Sequence, residues 1–260
     1  MFGVSRSSAA AAIVTAALTL PAVHEQVRTG DSSSGRLHRV LHTVPETVIS
    51  VQVTTGTLTM TGWDRPDIEI DIVRHAPTAA QIEEIRADIE ADGPAIRVSA
   101  VQRAGQRDPK LTADITIKAP RMAHFEEVQI ISGRVTLSHL AGFVNAKSDS
   151  GDLIASDLAG TIRLETLLGR LSLSQARLTP GGLIRLRAFQ GDVTLTLDST
   201  PPDARILATT FNGRITSDIP LNAKDQFGVR FAETTLGRGE PVISIDVVTG
   251  NIEIRVRKGP

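Results

Sequence analysis

Few residues of this chain have types and spacings that could do chemistry. His38 and His42 stand four apart in RLHRVLHTV, a spacing that grips a metal ion when it lies on a helix. Here the segment reads as an extended, solvated strand, and two histidines alone make a poor site, so no metal is assigned. His75, His124 and His139 stand singly and read as surface or boundary residues. Asp149, Asp152 and Asp157 surround Gly151 in SDSGDLIASD, and clustered carboxylates suit calcium. Calcium-binding β-rolls, however, repeat paired glycines and an Asp in every turn. Here Arg134, Phe143, Thr161 and Arg170 take the position after the glycine, so no calcium is expected. Trp63, in Gly62-Trp63-Asp64-Arg65-Pro66, could anchor a ligand, and the alternative is a ring that packs the end of the fold. The chain contains no Cys, no G-x-S-x-G, no phosphate loop and no dinucleotide fingerprint. Catalytic residues and cofactors are therefore assigned to none.

The composition narrows the partners. The formal net charge of −1 supplies no field for nucleic acid or an anionic membrane surface. Aromatics are 3% of the chain, with one Trp and no Tyr, which leaves little flat surface on which bases or sugar rings could stack. The abundance of Val, Ile, Leu, Thr and Gly favours strands over helices.

A repeat supplies the elements that position these residues. Gly133, Gly142, Gly151, Gly160 and Gly169 follow one another at a spacing of nine. The positions two and four after each are apolar or Ala: Val135 and Leu137, Val144 and Ala146, Leu153 and Ala155, Ile162 and Leu164, Leu171 and Leu173. Alternation with period two marks strands with one buried face, and the glycines mark the bends. The pattern resumes after Gly182, Gly191, Ala204, Gly213, Pro241 and Gly250, and upstream after Thr47 and Gly56. Nine residues cannot close a filled coil, so the simplest closure has two strands per coil and about 18 residues, with alternate rungs on one sheet. In that arrangement the residues after the glycines of one sheet are Arg134, Asp152, Arg170, Asp192 and Arg214, which alternate in sign, and Lys147 lies beside Glu165 on the other. Opposite charges on neighbouring strands contribute about 0.2–1 kcal/mol per pair and oppose register slips. The row is thus a candidate binding surface, but reads first as a device that pins the sheet.

The rest of the chain divides around this repeat. Residues 1–24, with Arg6 before the apolar run Ser8–Leu20, read as a secretory signal peptide, and 25–35 as a linker. Residues 36–124 read as a β-rich section carrying an amphipathic helix at 78–92: Thr78 and Gln81 form a capping box, Ile82, Ile85 and Ile89 a stripe, and Gly93-Pro94 the stop. Residues 104–109 read as a polar turn, 125–257 as the repeat region, and 222–240 as a less regular loop covering the last open edge. The fold expected is all-β, a parallel β-helix or β-roll solenoid with one inserted N-terminal helix.

Four stretches together resemble a known family: TGTLTMTGWDRPDIEIDIV (54–72), IKAPRMAHFEEVQIISGRVTLSHLAG (117–142), SDSGDLIASDLAGTIRLETLLGRLSLS (148–174) and FAETTLGRGEPVISIDVVTGNIEIRV (231–256). They are similar to the bacterial putative-adhesin domain family, whose marks are a GxxxVxGW opening, SGD and LxG rungs and a closing T-x-G-x-I-x-I. The likeness spans roughly 36–257. It implies a solenoid-like domain of the cell envelope, exported to the periplasm, envelope or medium, and it carries over no catalytic residue. The function expected is non-enzymatic binding of an envelope polysaccharide or a protein. The alternatives are a polysaccharide-active β-helix enzyme, which would concentrate outward carboxylates in one groove, and an envelope-stress sensor.

Overall fold

The computed structural model describes residues 35–43, 47–103, 107–226 and 228–257. The expected signal segment at 1–24, the linker at 25–35 apart from Gly35, and residues 104–106 of the polar turn lie outside the described residues. In chain order the elements are β1 (Arg36–His42), β2 (Val48–Trp63), β3 (Asp67–His75), α1 (Ala79–Ile82), β4 (Ile85–Asp92), β5 (Ala95–Gln102), β6 (Thr112–Pro120), β7 (His124–Ser138), β8 (Phe143–Ser150), β9 (Leu153–Ser156), β10 (Thr161–Leu168), β11 (Leu171–Ser174), β12 (Leu183–Gln190), β13 (Val193–Leu197), β14 (Ala204–Asn212), β15 (Ile215–Ser217), β16 (Asn222–Gln226), β17 (Val229–Leu236), β18 (Val242–Thr249) and β19 (Ile252–Val256). The fold is all-β, with one large and mostly parallel sheet.

Period-two patterning explains each rung. In β10, Ile162, Leu164 and Thr166 are buried while Arg163 between them is exposed. The long strands β2 and β7 turn a corner at Gly56 and Gly133, so their first and second halves pair with different neighbours. Two stacks result. One runs β5-β2-β7-β8-β10-β12-β18-β14 in parallel, with β4 and the β16–β17 hairpin added antiparallel at its ends. The other runs β6-β2-β7-β9-β11-β13-β19-β15 in parallel, with β3 and β1 added antiparallel. Thr161 lies opposite Phe143 and Leu171 opposite Leu153, an offset of 18 residues in both stacks. Buried residues of both stacks join in one continuous core.

The corner is made of glycine for a steric reason. A Cβ on Gly151 would lie 1.7 Å from the Gly133 carbonyl oxygen, and one on Gly133 1.8 Å from that of Gly56. The same contact links Gly169 to Gly151, Gly191 to Gly169, Gly250 to Gly191 and Gly213 to Gly250. A column of backbone therefore runs the length of the stack, most of it at φ near +140°, a conformation L-residues rarely adopt.

Three expectations need correction. The helix expected over 78–92 is one turn, after which Ile85–Asp92 is strand β4, paired antiparallel with β5. Ile82, Ile85 and Ile89 fit a helical stripe, but Ile85, Ala87, Ile89 and Ala91 fit period two equally well. Gly93-Pro94 is then the two-residue turn of a hairpin, with Asp92 opposite Ala95. Pairing with β5 buries Ile85 and Ile89 against the core, which an isolated short helix at this edge would not do. Second, the coils do not stack in chain order: β18 and β19 lie between β12–β13 and β14–β15. Ile243, Ile245, Ile252 and Ile254 are fully buried there, whereas Ile215 of the terminal β15 is only half-buried. The more apolar coil takes the interior place, where neighbours cover it on both sides. Third, 222–240 is less a loop than a regular antiparallel hairpin that continues the first stack past β14. At the opposite end Arg74 Nη1 donates to the carbonyls of Ile82 (3.4 Å) and Ile85 (3.2 Å), and Arg39 donates to that of Ile89, tying β1 and β3 to β4.

Two substitutions test this packing by chemical denaturation. Gly151→Ala should cost more than about 3 kcal/mol, since it adds a backbone clash to a disfavoured φ. Gly93→Ala, at φ +56° with no atom within 4 Å of the added carbon, should cost only about 1 kcal/mol. Ser148 is fully buried between Ile130 and Thr166, and its hydroxyl has no hydrogen-bond partner among the described residues. Ser148→Ala should raise stability by about 1 kcal/mol, because it removes an unsatisfied polar group from the core.

Candidate functional site

The residue after each corner glycine stands where the chain leaves one stack and enters the other. Its N–H looks along the stack, and at three places a side-chain oxygen of the neighbouring corner accepts it. Asp152 Oδ1 accepts from the Arg170 N–H at 3.2 Å, Asp192 Oδ1 from the Asn251 N–H at 2.8 Å, and Asn251 Oδ1 from the Arg214 N–H at 3.0 Å. Arg134 and Arg170 lie 3.8 and 3.9 Å from the Asp152 carboxylate, one on either side. Upstream, Thr57 takes the place beside Arg134, and its hydroxyl donates to Asp114 Oδ1 at 2.5 Å. His75 Nε2 lies 2.9 Å from the other Asp114 oxygen.

All five predicted members, Arg134, Asp152, Arg170, Asp192 and Arg214, thus stand in one row, with one correction. Because β19 intercalates, Asn251 lies between Asp192 and Arg214, which are not neighbours. Sequence reasoning missed Thr57, Asp114 and Asn251. Two of these follow a glycine of the repeat, so their type was visible and only their order in the stack was not. On the other stack Lys147 is 3.8 Å from Glu165, and Arg187, opposite Glu165, is 3.7 Å from Asp246. Arg163 and Arg185 lie side by side in the next row, with Arg163 over the Phe143 ring at 5.4 Å.

At the C-terminal end the row becomes the wall of a cleft of about 700 Å³. Arg170, Asp192, Asn251 and Arg214 line it from just before four neighbouring strands of the stack, with Thr194, Glu253 and Thr216 two residues further along three of them. Arg230 reaches in from β17, and its Nη1 donates to the Gly213 carbonyl at 2.7 Å. Glu253 is paired with Arg255 at 2.7 Å, a contact that holds the Arg255 guanidinium above its ordinary pKa. Arg214 and Arg230 carry no ion pair among the described residues. The cleft therefore presents guanidinium donors without an ion pair among the described residues at one end, and acceptor and hydroxyl groups along its floor. That combination can hold an anionic, hydroxylated ligand.

The other candidates separate. Trp63 is half-buried; its Nε1 donates to the Asp67 carbonyl at 2.7 Å, and its ring lies 4.4 Å from the Arg65 guanidinium and 5.8 Å from Lys118 Nζ. His42 Nδ1 is 3.0 Å from Asp67, and this hydrogen bond, helped by Arg65, holds the Asp67 carboxyl below its usual value. His38 lies instead beside Asp71, at 3.7 Å. Four residues of extended strand span about 13 Å, so the two imidazoles cannot share an ion. Asp149, Asp152 and Asp157 are also apart: Asp157 pairs with Arg177 at 2.5 Å, and Asp149 lines a different groove. Among the described residues no group of three His, Asp or Glu side chains is placed to hold a metal. The groove at Asp149, of about 750 Å³, is mainly apolar and is bordered by Leu167, Leu168 and Phe189. Phe189, Val248 and Phe211, which share one register along β12, β18 and β14, extend it as an exposed ridge. Sequence reasoning missed it, because the repeat was read at the glycines and these residues stand just before the corner.

No family model matches the chain, and no curated protein matches it. Among solved structures it is similar to a putative cell adhesion protein from Clostridium sporogenes, at 10% identity and a TM-score of 0.48, over 85% of this chain and 100% of that one. It is also similar to a putative adhesin from Bacteroides fragilis, at 13% identity and a TM-score of 0.35, over 84% of this chain and 96% of that one. A putative adhesin from Parabacteroides distasonis is 9% identical, with a TM-score of 0.22, over 84% and 96% of the two chains.

Proposed function

We propose that this chain is an exported, non-enzymatic binding protein of the bacterial cell envelope or surface. In this reading the two parallel stacks form a β-solenoid, a rigid parallel β-roll that holds a polymer or a protein partner against its outer faces. One observation carries it: the outward carboxylates are spread along the stacks and tied to neighbours, Asp152 to Arg134 and Arg170, Asp192 to Asn251, Glu165 to Lys147, and Asp246 to Arg187. A glycoside hydrolase needs two carboxyl groups facing each other across a bound sugar, one of them held protonated. A dispersed lattice of carboxylates tied to their neighbours supports binding by many weak and repetitive contacts instead. Signal-peptide export, the expectation drawn from residues 1–24, would deliver the domain to such partners.

Co-sedimentation of the purified full chain with bacterial cell walls, with released sugars assayed in the supernatant, tests this reading. Saturable retention without release is the expected result. Release of reducing sugar would overturn the non-enzymatic part, and absence of retention would overturn the polymer-binding part in favour of a protein partner.

A further inference from the structure

The cleft at the C-terminal end of the charge row is more specific than a general binding face. We infer that it takes an acidic polysaccharide, with a uronate carboxylate held between Arg214 and Arg230 and the sugar hydroxyls taken by Asp192, Asn251 and Thr194. The inference rests on the polymer-binding reading above and names its ligand class.

The donors come first. Arg230 spends Nη1 on the Gly213 carbonyl, which fixes its guanidinium beside the strand that carries Arg214. The remaining N–H groups of that planar fork suit a carboxylate, and Arg214 adds a second fork with no ion pair among the described residues. The acceptors decide the ligand class. Asp192 uses Oδ1 for both the N–H and the side-chain amide of Asn251, at 2.8 and 3.1 Å, and its other oxygen has no bond among the described residues. Three arginines thus share the cleft with two acids, Asp192 and Glu253. A densely charged phosphate chain would meet those acids and be repelled by them. A polymer that alternates carboxylates with hydroxyls satisfies both halves, since its hydroxyls donate to the acids while its carboxylates accept from the arginines.

The geometry suits a chain lying along the stack. Arg170, Asp192, Asn251 and Arg214 follow each other at the strand spacing, so the row from Arg170 to Arg214 spans about 14 Å. The Asp192 and Asn251 side chains are held by their own hydrogen bonds, so these acceptors need little ordering on binding.

Isothermal titration of the full chain with oligogalacturonate, its methyl-esterified form, polyglutamate and polyphosphate tests the inference. The expected result is binding to oligogalacturonate that weakens with added salt. The double variant Arg214→Gln/Arg230→Gln should weaken it at least about tenfold while keeping the far-UV circular dichroism of the folded chain, and Arg86→Gln, on the distant β4, should leave it unchanged. Equal affinity for the esterified polymer, preference for polyglutamate or polyphosphate, full affinity in the double variant, or no binding to any probe would each overturn it. Sedimentation keeps the two readings distinguishable. If the double variant is retained on cell walls like the unmodified chain, this assignment fails while the general one stands. If the unmodified chain itself is not retained, the general one fails.

Discussion

The close contact of one glycine's carbonyl with the next glycine's Cα governs this molecule. Neighbouring strands in a sheet lie about 4.8 Å apart. Where every strand also turns a corner at the same point, the backbone of one coil is pressed into the space a side chain of the next would occupy. The Cβ positions of Gly133, Gly151 and Gly191 fall within 1.8 Å of the preceding carbonyl oxygen, so a methyl group at any of them would push coils apart. The column from Gly56 to Gly213 fixes the register of both stacks at once, because the corner belongs to both.

The charge row follows from that corner. A chain that leaves one stack and enters the other presents the N–H of the residue after the glycine along the stack axis. Short acceptor side chains meet this need, and Asp152, Asp192 and Asn251 each accept the N–H of the residue behind the next glycine. Arg134 and Arg170 take the places on either side of Asp152 and neutralise its carboxylate. The ion pairs are largely exposed and each contributes little by itself. Their value lies in register, since a slip of one residue would bring the wrong side chains to the corner and turn the core face outward. At the C-terminal end the row stops being internally matched: Asn251 takes the place of a charge, and Arg214 has no ion pair among the described residues. The same lattice that holds the fold together there becomes a surface with donors to spare.

Much of this architecture was legible in the chain. The spacing of nine between Gly133 and Gly169, with apolar residues two and four places after each, revealed strand, bend and the 18-residue offset later seen between Leu153 and Leu171. The pairing of Lys147 with Glu165 and of Arg170 with Asp152 followed from that offset. The segment 78–92 was not legible. Its isoleucines satisfy a helical and an extended period together, and only the presence of β5 as a hairpin partner selects between them.

By itself, then, the sequence determined what is local and periodic: which residues face inward, where the chain bends, and which side chain follows each bend. Those properties depend on backbone geometry within a few residues and on counting. Only the tertiary structure decided which coil lies beside which. The insertion of β18 and β19 between coils that precede them in the chain separates Asp192 from Arg214, places Asn251 in the row and leaves β15 at the edge. The cleft with Arg230 on its far side exists because the displaced coil and the β16–β17 hairpin share that edge. The physical reason is burial: stacking order is set by which apolar faces gain most from two neighbours, a comparison among distant segments that no local pattern contains.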